Sequence, residues 1–156
     1  MLKWLGAALL ILSGLGGAVW ISSREKRRME KLMALLAWVK YVQNQIDCYS
    51  APMQEILSGT PPDMWKALDF DEPPPCLSEV TDKVRRICGD AAGEILASYE
   101  KAQGKSYRET EVRLCQRTAS ALEALLQQKQ GAFPAHQKTT VALCLAAVGI
   151  AVIILL

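Results

Sequence analysis

WLGAALLILSGLGGAVWI (residues 4–21) and TTVALCLAAVGIAVIILL (residues 139–156) are two uncharged apolar stretches, one near each end of the chain. Each holds about 18 residues, so as an α-helix it is about 27 Å long at a rise of about 1.5 Å per residue. That length nearly matches the hydrocarbon core of a bilayer. The sequence therefore predicts two membrane spans, residues 1–21 and residues 139–156, joined by a polar domain at residues 22–138.

Two crossings place both termini on one side of the membrane and the domain on the other. Lys and Arg beside the spans decide which side, because cytoplasmic flanks carry an excess of them. Arg24, Lys26, Arg27, Arg28 and Lys31 follow the first span and Lys138 precedes the second, whereas only Lys3 and the amino terminus lie on the other side. We therefore predict a cell-membrane protein with a cytoplasmic domain and its termini outside. The same cluster suits anionic lipid headgroups, although fixing the orientation already explains it.

A cleaved secretory signal is the competing interpretation of residues 1–21, because Lys3 precedes an apolar run that ends in small residues. Trp20 stands where a small residue would precede cleavage, and the basic residues that follow oppose export. Trp4 and Trp20 instead occupy the positions of aromatic anchors at the two faces of a span. We expect residues 1–21 to remain as a span.

The charge distribution describes the central domain. All acidic residues, and all Lys and Arg except Lys3, lie in residues 22–138, so this segment is heavily charged and nearly neutral overall. That balance is typical of a solvated helical surface and argues against nucleic-acid binding. About 115 residues are enough for one modest core and too few for two.

Helical periodicity begins directly after the first span. Residues 24–49 contain no Gly or Pro, and apolar residues recur there at steps of three and four. This stripe consists of Met29, Leu32, Leu35, Leu36, Val39, Val42, Ile46 and Tyr49. Ser50-Ala51-Pro52 ends the helix, because a proline disfavours helical geometry in the residue before it. Two short helices follow, around 53–57 and 63–70, and then an acidic, proline-rich connector at 69–75.

Two further helices complete the predicted domain. One starts near Leu77 with Ser78 as its N-cap, is bent or weakened at Gly89 and Gly93, and ends at Gly104. Its predicted inner face is Val80, Val84, Ile87, Cys88, Ala91, Ile95 and Tyr99. The next helix is capped by Ser106 and reaches about Gln130, and Gly131 and Pro134 separate it from the second span. Its predicted inward residues are Leu114, Cys115, Thr118, Leu122, Leu125 and Leu126. The predicted fold class is all-α: an antiparallel helical bundle flanked by an N-terminal and a C-terminal transmembrane helix.

The motifs that carry chemistry are missing from the sequence. It has no phosphate-binding glycine loop, no paired-histidine zinc helix and no nucleophile elbow. The single histidine, His136, lies just before the second span, and no two of the five cysteines have the spacing of a zinc or redox pair. We therefore predict no catalytic residue, no metal and no cofactor, and we expect the protein not to be an enzyme.

Glu111 is the one polar residue that stands out. It lies beside Leu114 and Thr118 on the inward stripe of its helix. It marks either a groove or partner contact, or an ordinary position at the edge of the buried face.

The segment REKRRMEKLMALLAWVKYVQNQIDCYSAPMQEIL, residues 24–57, resembles the stage III sporulation protein AB family of endospore-forming bacteria. The family pattern has basic residues, spaced leucines, an acidic-Ile-x-Tyr step, and Pro-Leu before a Glu. The residues consistent with it are Ile46, Pro52, Met53 and Glu55. Gln45 replaces the usual acidic residue, and Cys48 stands where the family tends to have Tyr.

The resemblance extends to other parts of the chain. Residues 104–111 are similar to the family's glycine turn and polar helix start, and residues 138–156 to its closing span, whereas residues 59–75 match nothing in it. It implies a non-enzymatic membrane component of the channel-like assembly between mother cell and forespore. It also implies a domain similar to the helical F domain of type II secretion platform proteins. The implied partners are the cytoplasmic secretion-type ATPase and other membrane proteins of that assembly.

Other functions remain open at this point. A membrane-bound thiol sensor or enzyme requires a reactive cysteine, and a secreted adaptor requires a cleaved N-terminus. A generic two-span scaffold requires neither. Small residues four apart, Ser13 with Gly17 and Ala142 with Ala146, allow close packing of spans, within one chain or between chains of an oligomer.

Overall fold

The computed structural model describes the backbone of residues 2–104 and 107–155, and the side chains of residues 23–104 and 107–131. These residues form six α-helices and no strand, so the all-α prediction is confirmed. The helices are α1 (Leu2–Tyr49), α2 (Met53–Gly59), α3 (Pro62–Ala67), α4 (Leu77–Cys88), α5 (Asp90–Ala102) and α6 (Arg108–Leu155).

The chain divides into two compact units. One combines Met1–Arg27 with Lys129–Leu156, and the other, which we call the helical unit, is Arg28–Gln128. Where side chains are described, no helix carries an apolar stretch long enough to cross a membrane. Both predicted spans, with Trp4, Trp20 and Lys138, lie outside those residues and stay predictions.

Helix α1 supplies the largest share of the core of the helical unit. Its buried residues are Leu32, Leu35, Trp38, Val39, Val42 and Ile46. The predicted stripe is thus confirmed over its central turns, but Trp38, which it omitted, is fully buried. Tyr49, predicted inward, is 71% exposed because α1 ends there and Ser50 turns the chain with φ +53°.

Helices α2 and α3 fold back along α1 in the opposite direction. The Tyr41 hydroxyl donates to the Gly59 carbonyl at 3.1 Å, and Lys31 Nζ donates to the Ala67 carbonyl at 2.9 Å. The later residue, Ala67, therefore contacts the earlier part of α1, so this segment runs antiparallel to α1. The two short helices cover the face of α1 that includes Trp38.

Three aromatic rings join these helices. The Trp38 and Trp65 ring centroids are 5.6 Å apart, and those of Trp65 and Phe70 are 5.3 Å apart with an edge-to-face arrangement. Trp65 Nε1 donates to the Leu57 carbonyl at 3.3 Å. Trp38 Nε1 is the only buried side-chain nitrogen or oxygen without a hydrogen-bond partner among the described side chains.

The Trp38→Phe variant should unfold at nearly the wild-type urea concentration. The substitution removes a buried N–H whose missing bond costs about 1–3 kcal/mol, and this gain offsets the loss of packing from a smaller ring. Trp65→Phe, which gives up a made hydrogen bond to Leu57, should lose about 1–3 kcal/mol. Urea titration of the full chain in mild detergent, followed by circular dichroism, compares the two. Equal losses would contradict the assignment of an unpartnered Trp38.

Helices α4 and α5 form an antiparallel hairpin with Gly89 as its one-residue link. Gly89 has φ +102°, a conformation that residues with a Cβ rarely adopt. Further along the pair, Thr81 Oγ1 donates to Glu100 Oε2 at 2.8 Å. The prediction of one bent helix is therefore wrong, because the chain reverses at Gly89.

The buried face keeps a spacing of four residues across Gly89: Val80, Val84, Cys88, Ala92 and Leu96 are all buried. Of the predicted residues after Gly89, Tyr99 is buried, whereas Ile95 is only partly buried and Ala91 is exposed. The predicted Ser78 N-cap is wrong as well, since Cys76 holds the cap position of α4.

Helix α6 pairs with α1 in the opposite direction. Arg108 approaches Asp47 at 3.8 Å and Glu123 pairs with Lys40 at 2.7 Å, so the helical unit is an antiparallel bundle. Of the predicted inward residues, Cys115, Thr118 and Leu122 are buried and the three remaining leucines are partly buried. Ser106, the predicted cap, lies outside the described residues.

The expected break between α6 and the second apolar stretch does not occur. Helix α6 runs through Gly131 and Pro134 as far as Leu155. A proline inside a helix costs about 3 kcal/mol but does not forbid the helix, so the sequence signal overstated the interruption.

Candidate functional site

The candidate site is the end of the helical unit where α1 stops and α6 starts, which we call the tip. Asp47 and Arg108 mark it by their contact. From Arg28 to Tyr49, α1 is about 30 Å long at about 1.5 Å per residue. The tip is therefore the end of the helical unit farthest from residues 28 and 128, where the chain enters and leaves it.

Two grooves flank the turn at residues 50–52. The Glu111 groove encloses about 390 Å³ and is lined by Ile46, Ser50, Ala51, Pro52, Met53, Gln103, Gly104, Arg108 and Glu111. The Tyr49 groove encloses about 380 Å³ and is lined by Tyr41, Gln45, Tyr49, Ala51, Glu55, Ile56 and Gly59. These volumes are near the lower limit for small-molecule pockets, so each groove suits a partner's side chains better than a cofactor.

Exposed aromatic side chains concentrate at the tip. Three large hydrophobic residues are exposed among the described side chains: Met33 at 44%, Tyr49 at 71% and Tyr107 at 91%. The two tyrosines end α1 and precede α6, respectively, so both lie at the tip. Tyrosine is enriched in protein interfaces because its ring adds contact area and its hydroxyl retains a hydrogen bond.

Glu111 lines the Glu111 groove. Its side chain is only 9% exposed, and Oε1 accepts a hydrogen bond from the Gly104 backbone N–H at 2.8 Å. Gly104 lies in the loop between α5 and α6, where its φ is +74°. The hydrogen bond therefore holds this loop against the first turn of α6. Contact of Glu111 with a partner stays a prediction.

The Glu111→Ala variant should lose about 1–2 kcal/mol of unfolding free energy, because a hydrogen bond to a charged group contributes about 1.5–3 kcal/mol and the Gly104 side is solvated. Glu109→Ala is the matched control, since Glu109 is exposed two residues earlier on the same helix turn. It should change stability by less than about 0.5 kcal/mol. Equal urea midpoints for the two variants would show that the Glu111 bond contributes nothing.

Cys115 and Tyr99 are buried near the Glu111 groove. Cys115 Sγ donates to the Tyr99 hydroxyl at 3.4 Å. Burial raises the pKa of the Cys115 thiol, and the Glu111 carboxylate raises it further, although the Tyr99 hydrogen bond acts the other way. Burial likewise raises the pKa of the Tyr99 hydroxyl. Both groups stay protonated at neutral pH, so the Cys115 thiol is a poor nucleophile.

Thiol alkylation should divide the described cysteines into two classes. Cys48 and Cys76 are exposed and should react with iodoacetamide at pH 8, whereas Cys88 and Cys115 are buried and should react only after unfolding. Because burial holds the pKa of Cys115 above that of a thiol in the unfolded chain, stability should also fall as pH rises above about 9. Mass spectrometry of tryptic peptides measures the labelling. Selective labelling of Cys115 in the folded protein would instead support the thiol-sensor hypothesis.

The predicted lipid-facing cations lie on α1. Arg24, Lys26 and Arg27 are exposed, and Arg28 is half-buried. Among the described residues, no group of three or more His, Cys, Asp and Glu side chains has the arrangement of a metal site.

Comparison with known proteins adds no relative. No protein-family model, no curated protein and no solved structure matches the chain.

The sequence indicated only part of this tip. Periodicity places Glu111 on an inward stripe, but it predicts nothing about Tyr107, and its prediction of Tyr49 in the core is wrong. The position of Tyr49 indicates its exposure, because it is the last residue before the Ser50-Ala51-Pro52 break and no further helical turn follows to pack against it.

Proposed function

We propose that this chain is a membrane adaptor without enzymatic activity, of the stage III sporulation protein AB kind. Its helical unit, with a domain like the type II secretion F domain, lies in the cytoplasm and receives a secretion-type ATPase. The predicted spans carry the response of that ATPase to the membrane proteins of the channel-like assembly between mother cell and forespore.

The observation that carries this proposal is the length of α1 and α6. Each is a single helix of 48 residues that contains one apolar stretch and one side of the helical unit. An unbroken helix joins its polar part to its apolar stretch without an intervening loop, so a displacement of one part reaches the other along the helix. Two such helices suit an adaptor that transmits a mechanical signal.

The resemblance of residues 24–57 supplies the biological setting. Ile46 is buried in the core and Glu55 lines the Tyr49 groove, so two residues consistent with the family pattern occupy defined positions near the tip. This placement supports the proposal.

The first test is an in-frame deletion in the source organism, followed by microscopy and counts of heat-resistant spores. Arrest after engulfment with few resistant spores, restored by the intact gene, is the expected result. Normal sporulation of the deletion strain would reject the sporulation function and leave a generic two-span scaffold.

A second test addresses transmission through α1. A seven-residue helical insert, EAAAKAA, between Ser23 and Arg24 keeps the helix nearly in phase, because seven residues make about two turns. The matched insert GSGSGSG interrupts the helix with flexible residues. The helical insert should restore sporulation in the deletion strain, and the flexible insert should not. Equal rescue by both inserts would show that α1 need not be continuous.

A further inference from the structure

Acidic side chains outnumber basic ones in the two tip grooves. The charged residues that line them are Glu55, Glu111 and Arg108. Arg108 already contacts Asp47, whereas Glu55 has no ion-pair partner among the described residues, and Glu111 accepts only the Gly104 N–H. Arg108 shares the groove of Glu111, whereas no basic residue lines the Tyr49 groove, so Glu55 is a carboxylate without a cation beside it.

The end of α1 adds to this negative potential. The last carbonyls of a helix carry a partial negative charge, which a basic residue in the final turn usually offsets. Helix α1 has no basic residue in its last turn. Two of its carbonyls, those of Gln45 and Ile46, are satisfied by Ala51 and Ser50, but the following ones face the tip without such bonds among the described residues.

The apolar component of the same surface is aromatic. Tyr49 lines a groove together with Glu55, and Tyr107 is the residue before α6. The exposed Tyr49 ring next to the Glu55 carboxylate is a favourable surface for Arg, whose guanidinium stacks on aromatic faces and forms paired hydrogen bonds with carboxylates.

We propose that the tip binds a basic segment of a cytoplasmic protein, in which Arg or Lys side chains alternate with aromatic or aliphatic ones. The cations reach Glu55 and the end of α1, and the apolar side chains pack on Tyr49 and Tyr107. This inference rests on the proposed function only for the existence of a cytoplasmic partner, and it assigns the surface and the chemistry of the contact.

Site-specific photo-crosslinking in cells of the source organism tests this surface. Benzoylphenylalanine replaces Tyr107 in the full-length chain, and in the matched control it replaces Met33, which is exposed on α1 away from both grooves. A crosslink from position 107, absent from position 33, to a peptide with a net positive charge is the expected result. The crosslinked peptide is identified by mass spectrometry.

A charge reversal separates electrostatic recognition from mere proximity. Glu55→Lys, combined with the probe at 107, should reduce the crosslink yield by about tenfold, because like charges facing each other across an interface are strongly unfavourable. Glu94→Lys, an exposed reversal on α5, should leave the yield unchanged.

The outcomes distinguish the two proposals. Crosslinks to a cytoplasmic partner from position 33 only would reject the tip while the adaptor function stands. A crosslink from position 107 to an acidic peptide, or to a second copy of this chain, would also overturn the inference. Normal sporulation of the deletion strain, with crosslinks at 107 to a basic peptide, would reject the sporulation function and retain the binding surface.

Discussion

Trp65→Ala should reduce the unfolding free energy of the chain by about 3–5 kcal/mol, the usual loss for a large buried aromatic residue. Trp65 is 1% exposed, contacts both Trp38 and Phe70, and donates to Leu57. Its removal therefore leaves a cavity and an unpaired carbonyl at the junction of α1, α2 and α3. Small domains have only about 5–15 kcal/mol of stability in total, so this loss is a large fraction of it.

Tyr107→Ala is the matched control for this prediction. It also removes an aromatic ring, but the ring is 91% exposed, and the change should stay within about 0.5 kcal/mol. Urea unfolding in mild detergent, followed by circular dichroism, measures both variants. If the two midpoints coincide, the three aromatic rings do not form the core described above.

Gly93→Ala should cost about 2–3 kcal/mol, although alanine is the better helix former by about 1 kcal/mol. A Cβ at position 93 would lie 2.7 Å from Arg85 Cβ and 3.0 Å from Arg85 Cα. The second of these is a backbone atom, and the one-residue link at Gly89 leaves the hairpin little freedom to open. The substitution must therefore push α4 and α5 apart.

Gly59→Ala tests whether this cost comes from the close approach of the two helices. Gly59 is the last residue of α2, and a Cβ there would meet nothing within 4 Å. Its substitution should leave the urea midpoint unchanged or raise it slightly. A gain in stability for both variants would mean that α4 and α5 are farther apart than the structure places them.

Periodicity predicted the part of the fold that depends on a single helix face. Leu32, Val39 and Val42 recur at helical spacing, and they are buried because one face of α1 meets the rest of the unit. Trp38 falls beside that stripe. It is buried because α2 and α3 cover a second face of α1, and the position of that cover depends on contacts distant in sequence.

The α4–α5 hairpin shows a different limit. Gly89 is conspicuous in the sequence, but a glycine in an apolar pattern is compatible with a bend or with a reversal. Only the backbone angle at Gly89 decides between them, because the buried residues Cys88, Ala92 and Leu96 keep a spacing of four across the turn, as they would in one continuous helix.

The candidate site was predictable to the extent that it depends on local position. The inward position of Glu111 can be predicted from its place on the helix, whereas its hydrogen bond to Gly104 depends on the shape of the loop between α5 and α6. The Tyr49 groove exists because α2 folds back on α1, where the Tyr41 hydroxyl bonds to the Gly59 carbonyl. The spacing of residues in the sequence does not predict this contact.

The pairing of α1 with α6 has a consequence for synthesis on the ribosome. Arg108 and Glu123 contact residues of the first helix made, so the helical unit closes only after almost the whole of it has been translated. Closing so long a loop is slow compared with forming the α4–α5 hairpin, whose partners are adjacent in sequence. Until α6 emerges, the nascent chain presents the unpaired apolar side of α1 to the cell, and this interval is when the protein is most exposed to aggregation and proteolysis.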